Sequence, residues 1–230
     1  MYLYETHCHT KYSSACASIG AKELVDLYVK NGYTGVFITD HFLNGNTTVK
    51  TGIPYSERVR LFAEGYKKVK KAGEGKLDVF FGFEYSYLGT DVLVYGWDEK
   101  ALYGLEEIVD MPFSRFCGFA KEQGVLAVQA HPFREAHYID HIRLYPGVEG
   151  VETLNAKREE RCNRLAEFYA SEYGKITTGG SDLHQTTQPR LAGMEFSSPL
   201  TSEKDFIERL RKGEGKIFSQ ENAYLFASEE

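Results

Sequence analysis

The sequence predicts an α/β fold in which mostly parallel strands close, or nearly close, into a barrel. Three observations carry this. Short, almost wholly apolar segments at 35–39 (GVFIT) and 125–130 (VLAVQA) recur along the chain, and strands apolar on both faces belong to sheets covered on both sides. Strand-like and helix-like segments alternate, as parallel sheets require. No G-x-G-x-x-G follows the first strand, so an open dinucleotide-binding sheet lacks its main mark.

Residues 2–9 alternate in character and read as the first strand. In 21–31, Leu24, Val25 and Tyr28 share one helical face, and Gly32 ends that helix as a C-cap glycine would. The strand 35–39 follows. Residues 56–72 repeat Val59, Phe62, Ala63, Tyr66 and Val69 at helical spacing; Lys67, Lys68, Lys70 and Lys71 at the far end suit the helix dipole and read as a solvated face. Strands are expected at 77–85 and 91–97, with a turn at Gly89 between them. A helix at 112–123, closed by Gly124, precedes the strand 125–130. A strand at 148–154, a helix at 157–173 carrying Leu165, Phe168 and Tyr169, and a strand at 176–178 come next. The last helix is 202–212, with Ser202 and Asp205 spaced as a capping pair. There is no repeat, linker or low-complexity stretch, and 230 residues fit one domain spanning 1–230.

The net charge of −6 argues against a broad nucleic-acid surface, which needs clustered Lys and Arg. No signal peptide is expected at the start, and no window reaches the roughly 18 apolar residues of a membrane span. Cys8, Cys16, Cys117 and Cys162 form no C-x-x-C pair, which points to free thiols and a cytoplasmic setting.

Chemistry concentrates at strand ends. His7 and His9 end the first strand, Asp40 and His41 follow the second, Glu84 ends FFGFEYS, His131 follows VLAVQA, and Asp182 and His184 follow ITTGGS. In a barrel of parallel strands these ends share one rim, where active sites form. Residues i and i+2 of a strand face the same way, so His7 and His9 can reach one ion at roughly 2.0–2.1 Å. Glu5, on the same face by that alternation, is expected to orient one of the imidazoles. His137 and His141 lie in a polar loop and read as surface residues.

At these residues the chain resembles the PHP superfamily, named for polymerase and histidinol phosphatase. The resemblance runs in order through E-T-H7-C-H9-T-K-Y-S, G-V-F-I-T-D40-H41, G-F-E84-Y, A-H131-P and G-G-S-D182-L-H184, across nearly the whole chain. It implies a distorted (β/α)7 TIM-like barrel and two or three divalent ions, zinc, manganese or iron. By that resemblance His7, His9, Glu84 and Asp182 hold one ion. Glu84 bridges to a second, which His131 also binds, and His41 and His184 hold a third. Two positions depart from the family pattern. Leu93 stands where a His is common, with Asp91 a substitute two residues earlier. Ala15 and Cys16 stand where a third-site His or Asp is common; Ala15 cannot ligate and a Cys16 thiolate could, since thiolate binds zinc, but Cys16 is expected to be a buried structural thiol.

Clustered divalent ions activate water near neutral pH and neutralise phosphoryl charge. The expected function is therefore hydrolysis of a small phosphomonoester by a metal-activated hydroxide, as in a histidinol-phosphatase-like enzyme, with Asp182 and His184 positioning that hydroxide. Arg134 and Arg190 are the candidate phosphate contacts, because a guanidinium binds phosphate oxygens bidentately; Arg158 and Arg161 are weaker ones. Rim loops 42–55, 134–146 and 185–193 would set specificity. The competing functions are a 3′-5′ nuclease or phosphodiesterase and a metal-stabilised binding module without catalysis.

Overall fold

The computed structural model describes residues 1–226. Nine strands form one sheet: β1 (Tyr2–Cys8), β2 (Gly35–Ile38), β3 (Asp78–Tyr87), β4 (Thr90–Tyr95), β5 (Leu126–Gln129), β6 (Gly150–Asn155), β7 (Ile176–Gly180), β8 (Arg190–Phe196) and β9 (Lys216–Glu221). Their order is β7-β6-β5-β4-β3-β2-β1-β8-β9. The helices are α1 (Ala21–Lys30), α2 (Tyr55–Phe62), α3 (Glu64–Gly73), α4 (Glu99–Leu102), α5 (Phe113–Glu122), α6 (Glu160–Glu172) and α7 (Glu203–Arg211). None of the described helices is long and apolar enough to cross a membrane.

The strands curl until the ends of the β1–β7 run meet. Past the end of β7, Leu183 pairs with Cys8 of β1 in a parallel bridge, with His9 N donating to the Leu183 carbonyl at 2.9 Å. Below that bridge, Thr6 Oγ1 donates to the Gly179 carbonyl at 2.8 Å. The result is the expected barrel, nearly closed and distorted. Its parallel runs are β1-β2-β3 and β5-β6-β7; β4 is antiparallel to both its neighbours. The cause is the two-residue Leu88-Gly89 turn, with φ of 49° and 79°. A connection that short reverses the chain, whereas a parallel neighbour needs a long crossover.

Alternation along each strand separates an inner from an outer face. Tyr4, Phe37, Phe80, Leu93, Tyr95 and Val128 turn inward and meet Phe206, Ile207 and Leu210 of α7, which packs into the same core. Outward residues such as Val36, Ile38 and Cys8 pack under α1 and α3, and Phe81, Phe83, Val92 and Val94 pack under α2 and α5. The aromatic residues thus serve chiefly as core.

Three expectations are corrected. The helix expected at 56–72 is two helices, α2 and α3, broken at Ala63. Ser13 Oγ donates to the Phe62 carbonyl at 2.6 Å, withdrawing it from the helical ladder. The segment 190–196, partly assigned to a rim loop, is strand β8, antiparallel to β1, and β9 pairs with it in turn. Glycine at 193 allows this, because a Cβ there would collide with the Tyr4 backbone carbonyl. In α6 the buried face is Cys162, Ala166, Tyr169 and Ala170, while Phe168 is 66% exposed.

Gly193→Ala is predicted to destabilise the protein by about 1–3 kcal/mol, the usual cost of forcing a carbon into a packed site. Urea unfolding would measure it; an unchanged midpoint would show that β8 can shift away from β1.

Candidate metal centre

The inner face carries the polar cluster at one end of the barrel. β1 changes register between Glu5 and Cys8, and this slip reverses the parity of the strand. Tyr4 and Thr6 point inward before it, and His7 and His9 after it. Glu5 therefore faces the other way: its carboxylate accepts from the amides of Thr6, His7 and Ser181 and from the Tyr28 hydroxyl of α1. It orients no imidazole, contrary to the expectation from alternation. Burial pushes its pKa up to about 7 despite those hydrogen bonds.

His7 is oriented instead by Glu152 of β6, 2.9 Å from Nδ1. Its other oxygen accepts from the His131 backbone amide at 3.0 Å and from Asn155 Nδ2 at 2.9 Å. His9 is oriented by Ser14. That hydroxyl donates its one proton to Asp40 Oδ1 at 2.7 Å, so it accepts from His41 N at 3.0 Å and from His9 Nδ1 at 3.1 Å. Asp40 also accepts from Thr10 N and Oγ1, at 2.6 and 2.7 Å, so it is a buttress and its burial raises its pKa to about 6. With both Nδ1 atoms engaged, His7 and His9 aim their Nε2 atoms inward at each other, 3.1 Å apart.

Two carboxylates meet that pair. Glu84 Oε1 lies 3.4 Å from His7 Nε2 and Glu84 Oε2 lies 3.4 Å from His9 Nε2; Asp182 Oδ1 lies 3.6 and 3.5 Å from the same atoms. Four donors about 2.1 Å from one ion in a tetrahedron stand roughly 3.4 Å apart. The described donors fit a divalent cation. Glu84 reaches further: Oε1 is 3.3 Å from His131 Nε2 and Oε2 is 2.9 Å from His41 Nδ1. Glu84 Oε1 and His41 Nδ1 are nevertheless buried without a hydrogen-bond partner, a costly state for a protein without a cation between them. His9, His41 and His184 form a further set of donors within 4.8 Å of one another, and His41, Glu84 and Asp91 another.

The electrostatics agree. Burial disfavours a charged His7, but Glu152, Asp182 and Glu84 overturn that and hold its pKa well above the usual imidazole value. Burial likewise opposes charge on His41, and Glu84 outweighs it. Burial, then His184 and His41, drive His9 well below the ordinary value. Burial pushes Glu84 and Asp182 up, and the surrounding imidazoles bring both well below the carboxylate range. The cluster attracts positive charge strongly. His131 and Asp182 hold left-handed backbones, with φ of 28° and 53°, a strain of order 1–3 kcal/mol each that folding imposes at this rim.

All seven expected metal-site residues, His7, His9, His41, Glu84, His131, Asp182 and His184, converge here. Arg134 lines the adjoining cavity of about 920 Å³ with Nη2 3.2 Å from Asp91 Oδ2. Arg190 does not reach it: the residue begins β8, and its guanidinium turns outward to Ser219 Oγ on β9, 3.0 Å away. Arg158 takes the place expected of Arg190, lining the cavity with Nη2 2.8 Å from Asp182 Oδ2. Arg161 pairs with Glu135 on the surface. Lys157, which motif spacing did not single out, lies beside it with Nζ 3.0 Å from His184 Nδ1. Leu93 sits opposite Glu84 in the β3–β4 register and is fully buried in the core. Cys16 is exposed at the cavity wall, 3.1 Å from His184 Nε2, which corrects the expectation of a buried structural thiol. Burial raises its pKa, but His184 and His41 outweigh this and bring it to about 6.

Residues 5–176 match the family model described as the PHP domain. The chain belongs to the PHP family. Residues 160–214 also match the model described as PHP-associated. Among solved structures, PsfC from Pseudomonas syringae has a TM-score of 0.63 at 18% identity, covering 95% of this chain and 91% of that one. A predicted metal-dependent phosphoesterase from Bifidobacterium adolescentis has a TM-score of 0.55 at 15% identity, covering 91% and 96%. A two-domain protein from Bacteroides vulgatus, containing a predicted PHP-like metal-dependent phosphoesterase, has a TM-score of 0.61 at 15% identity, covering 94% of this chain and 64% of that one. At these identities the likeness shows the PHP barrel. No curated protein gives a match to this sequence.

Glu152→Gln is predicted to weaken metal affinity about 10–100-fold, the usual effect of losing a ligand-orienting carboxylate. Calorimetric metal titration would measure it, and equal affinity in the two proteins would remove Glu152 from that role. Protons compete for the same imidazoles, and His7 and His41 hold theirs well above the ordinary range, so retained metal is expected to fall as pH drops, starting above about 6.5; a stoichiometry unchanged well below that pH would contradict imidazole ligation.

Proposed function

We propose that this PHP-family hydrolase cleaves small phosphomonoesters at the cavity beside the His7–Asp182 cluster, with two or three divalent ions held there. The observation that carries this is the pairing of a cation-seeking cluster with three fixed cations, Arg134, Lys157 and Arg158, around one opening. A chain of net charge −6 gathers positive charge where an anion would dock. The volume of about 920 Å³ suits a small molecule. Two of the structural relatives carry phosphoesterase names, which supports the same reading.

His7, His9, Glu84 and Asp182 would hold one ion, Glu84 and His131 a second, and His41 and His184 a third. Zinc, manganese and iron all suit a mixed imidazole and carboxylate set. Such ions supply an activated water and neutralise charge on the phosphoryl oxygens.

The protein's own groups do the rest. Arg158 is tied to Asp182 through Nη2 and lines the cavity, so its remaining terminal N–H groups serve as donors for a phosphate oxygen. Arg134 is held by Asp91 on the other side of the cavity and keeps further donors of its own. His184 Nδ1 lies 2.8 Å from the Asp182 carbonyl and 3.0 Å from the Lys157 ammonium, which leaves Nε2 as the nitrogen facing the cavity. Asp182 and His184 are then placed to position the attacking water, and the Lys157 ammonium to steady the departing oxygen. Asn46, Tyr138 and Gln185 come from the three rim loops and set specificity. A cytoplasmic setting suits four free cysteines.

The test is a panel of phosphomonoesters and phosphodiesters assayed with added zinc, manganese or iron. Monoester turnover is expected, and His9→Ala should lose bound metal by elemental analysis. Arg158→Ala should lower kcat/KM about ten- to hundredfold, the cost of a lost charged hydrogen bond, with metal content unchanged. Turnover of diesters or 3′ ends alone would redirect the assignment to a phosphodiesterase. Bound metal with no turnover on any ester would leave a binding module.

A further inference from the structure

We propose that Cys16 is a metal ligand, its thiolate completing with His41 and His184 a third, thiophilic cation position at the cavity wall. The inference rests on the reading that the neighbouring cluster holds divalent ions.

Cys16 lies on the segment following β1, where Ala15 N is fixed to the Asn46 carbonyl at 2.8 Å and Ser18 N to the His184 carbonyl at 2.9 Å. These backbone bonds seat residue 16 between the loop after β2 and the loop after β7. Its sulfur faces His184 Nε2 at 3.1 Å, and His184 and His41 bring donor atoms within 4.8 Å of one another. The orientation of the His184 ring matters here. Nδ1 is engaged by the Asp182 carbonyl and the Lys157 ammonium, so Nε2 is the nitrogen left for a ligand, and it points at the sulfur. His41 is nine-tenths buried, with Nδ1 lacking any hydrogen-bond partner. His41, His184 and Cys16 all line the same cavity.

A thiol in this position has one proton, which it offers to a single imidazole, so sulfur and the two rings are not all satisfied together. A cation shared among sulfur and two imidazoles satisfies all three. Binding releases the thiol proton to solvent, because a coordinating thiol is held as thiolate. Sulfur with two nitrogens is a donor set that selects zinc or cobalt over manganese or magnesium. This position would therefore differ in metal preference from the one built by His7, His9, Glu84 and Asp182. The other three cysteines are buried: Cys8 lies under α1, Cys117 on α5 and Cys162 on α6. A sulfur–metal signal from the folded protein thus reports on Cys16.

The experiment uses the full chain, stripped of metal and reloaded with cobalt(II) or zinc(II). The wild type is expected to show a thiolate-to-cobalt charge-transfer band in the near ultraviolet. Zinc should slow alkylation of Cys16, mapped by peptide mass spectrometry. Cys16→Ser should abolish the band and bind its last equivalent of zinc at least about tenfold more weakly, since even an outer-shell partner contributes that much. Circular dichroism would confirm that the variant folds. His184→Ala, a second route, should also weaken the band. Cobalt bound to the wild type without a sulfur band, or a Cys16→Ser protein with undiminished zinc stoichiometry and affinity, would overturn the assignment. The ester panel fails independently: a sulfur band without turnover would keep the ligand and reject the phosphatase, and turnover without the band would do the reverse.

Discussion

The interior of this barrel crowds electron-pair donors around one point, where only a proton or a cation reconciles them. His7 Nε2 and His9 Nε2 face each other across 3.1 Å, and Glu84 and Asp182 crowd the same point from two sides. Each group is buried. In such surroundings charges are poorly screened, and uncompensated carboxylates are very costly. Much of the surrounding structure exists to hold these donors together: the register slip in β1, the left-handed backbones at His131 and Asp182, and the paired supports of Glu152 and of Asp40 through Ser14. The hydrophobic clusters around the sheet supply the stability against which that local strain is held.

The barrel was legible in the alternation of apolar strands with helical faces. The candidate site was legible because His or acid side chains follow those strands directly, and parallel strand ends share a rim. The remainder depends on geometry that adjacent residues do not encode. Glu5 and His7 share parity on paper, and only the slip within β1 separates them. Glu152 lies inside the strand GVETLN, where an acid among apolar neighbours is a signal, but its partners come from β1 and from the loop after β5. Ser14 is one hydroxyl among many until Asp40 takes its proton. Arg190 sits close to His184 in sequence, yet β8 turns it toward β9. Ala63 looks helical, and a serine fifty residues earlier interrupts the ladder at its neighbour.

The antiparallel β4 has its own effect on the site. By reversing after Leu88-Gly89, it sets Leu93 against Glu84 and brings Asp91 up to the rim, where it meets Ser86 and Arg134. A hydrocarbon side chain thus fills the layer just beneath the cluster, and a carboxylate stands above it. The rim on that side is tied to the cavity-lining Arg134 rather than to an additional imidazole.

Glu152 joins two parts of the centre that are far apart in the chain. One oxygen fixes the ring of His7, and the other fixes the main chain at His131. Changes at the two histidines should therefore not act additively, because each alters how firmly the shared carboxylate grips the other. Evolutionary drift at either position would be constrained by this one acid. A lineage that re-tuned the chemistry at His131 would have to re-tune the grip on His7 in the same step.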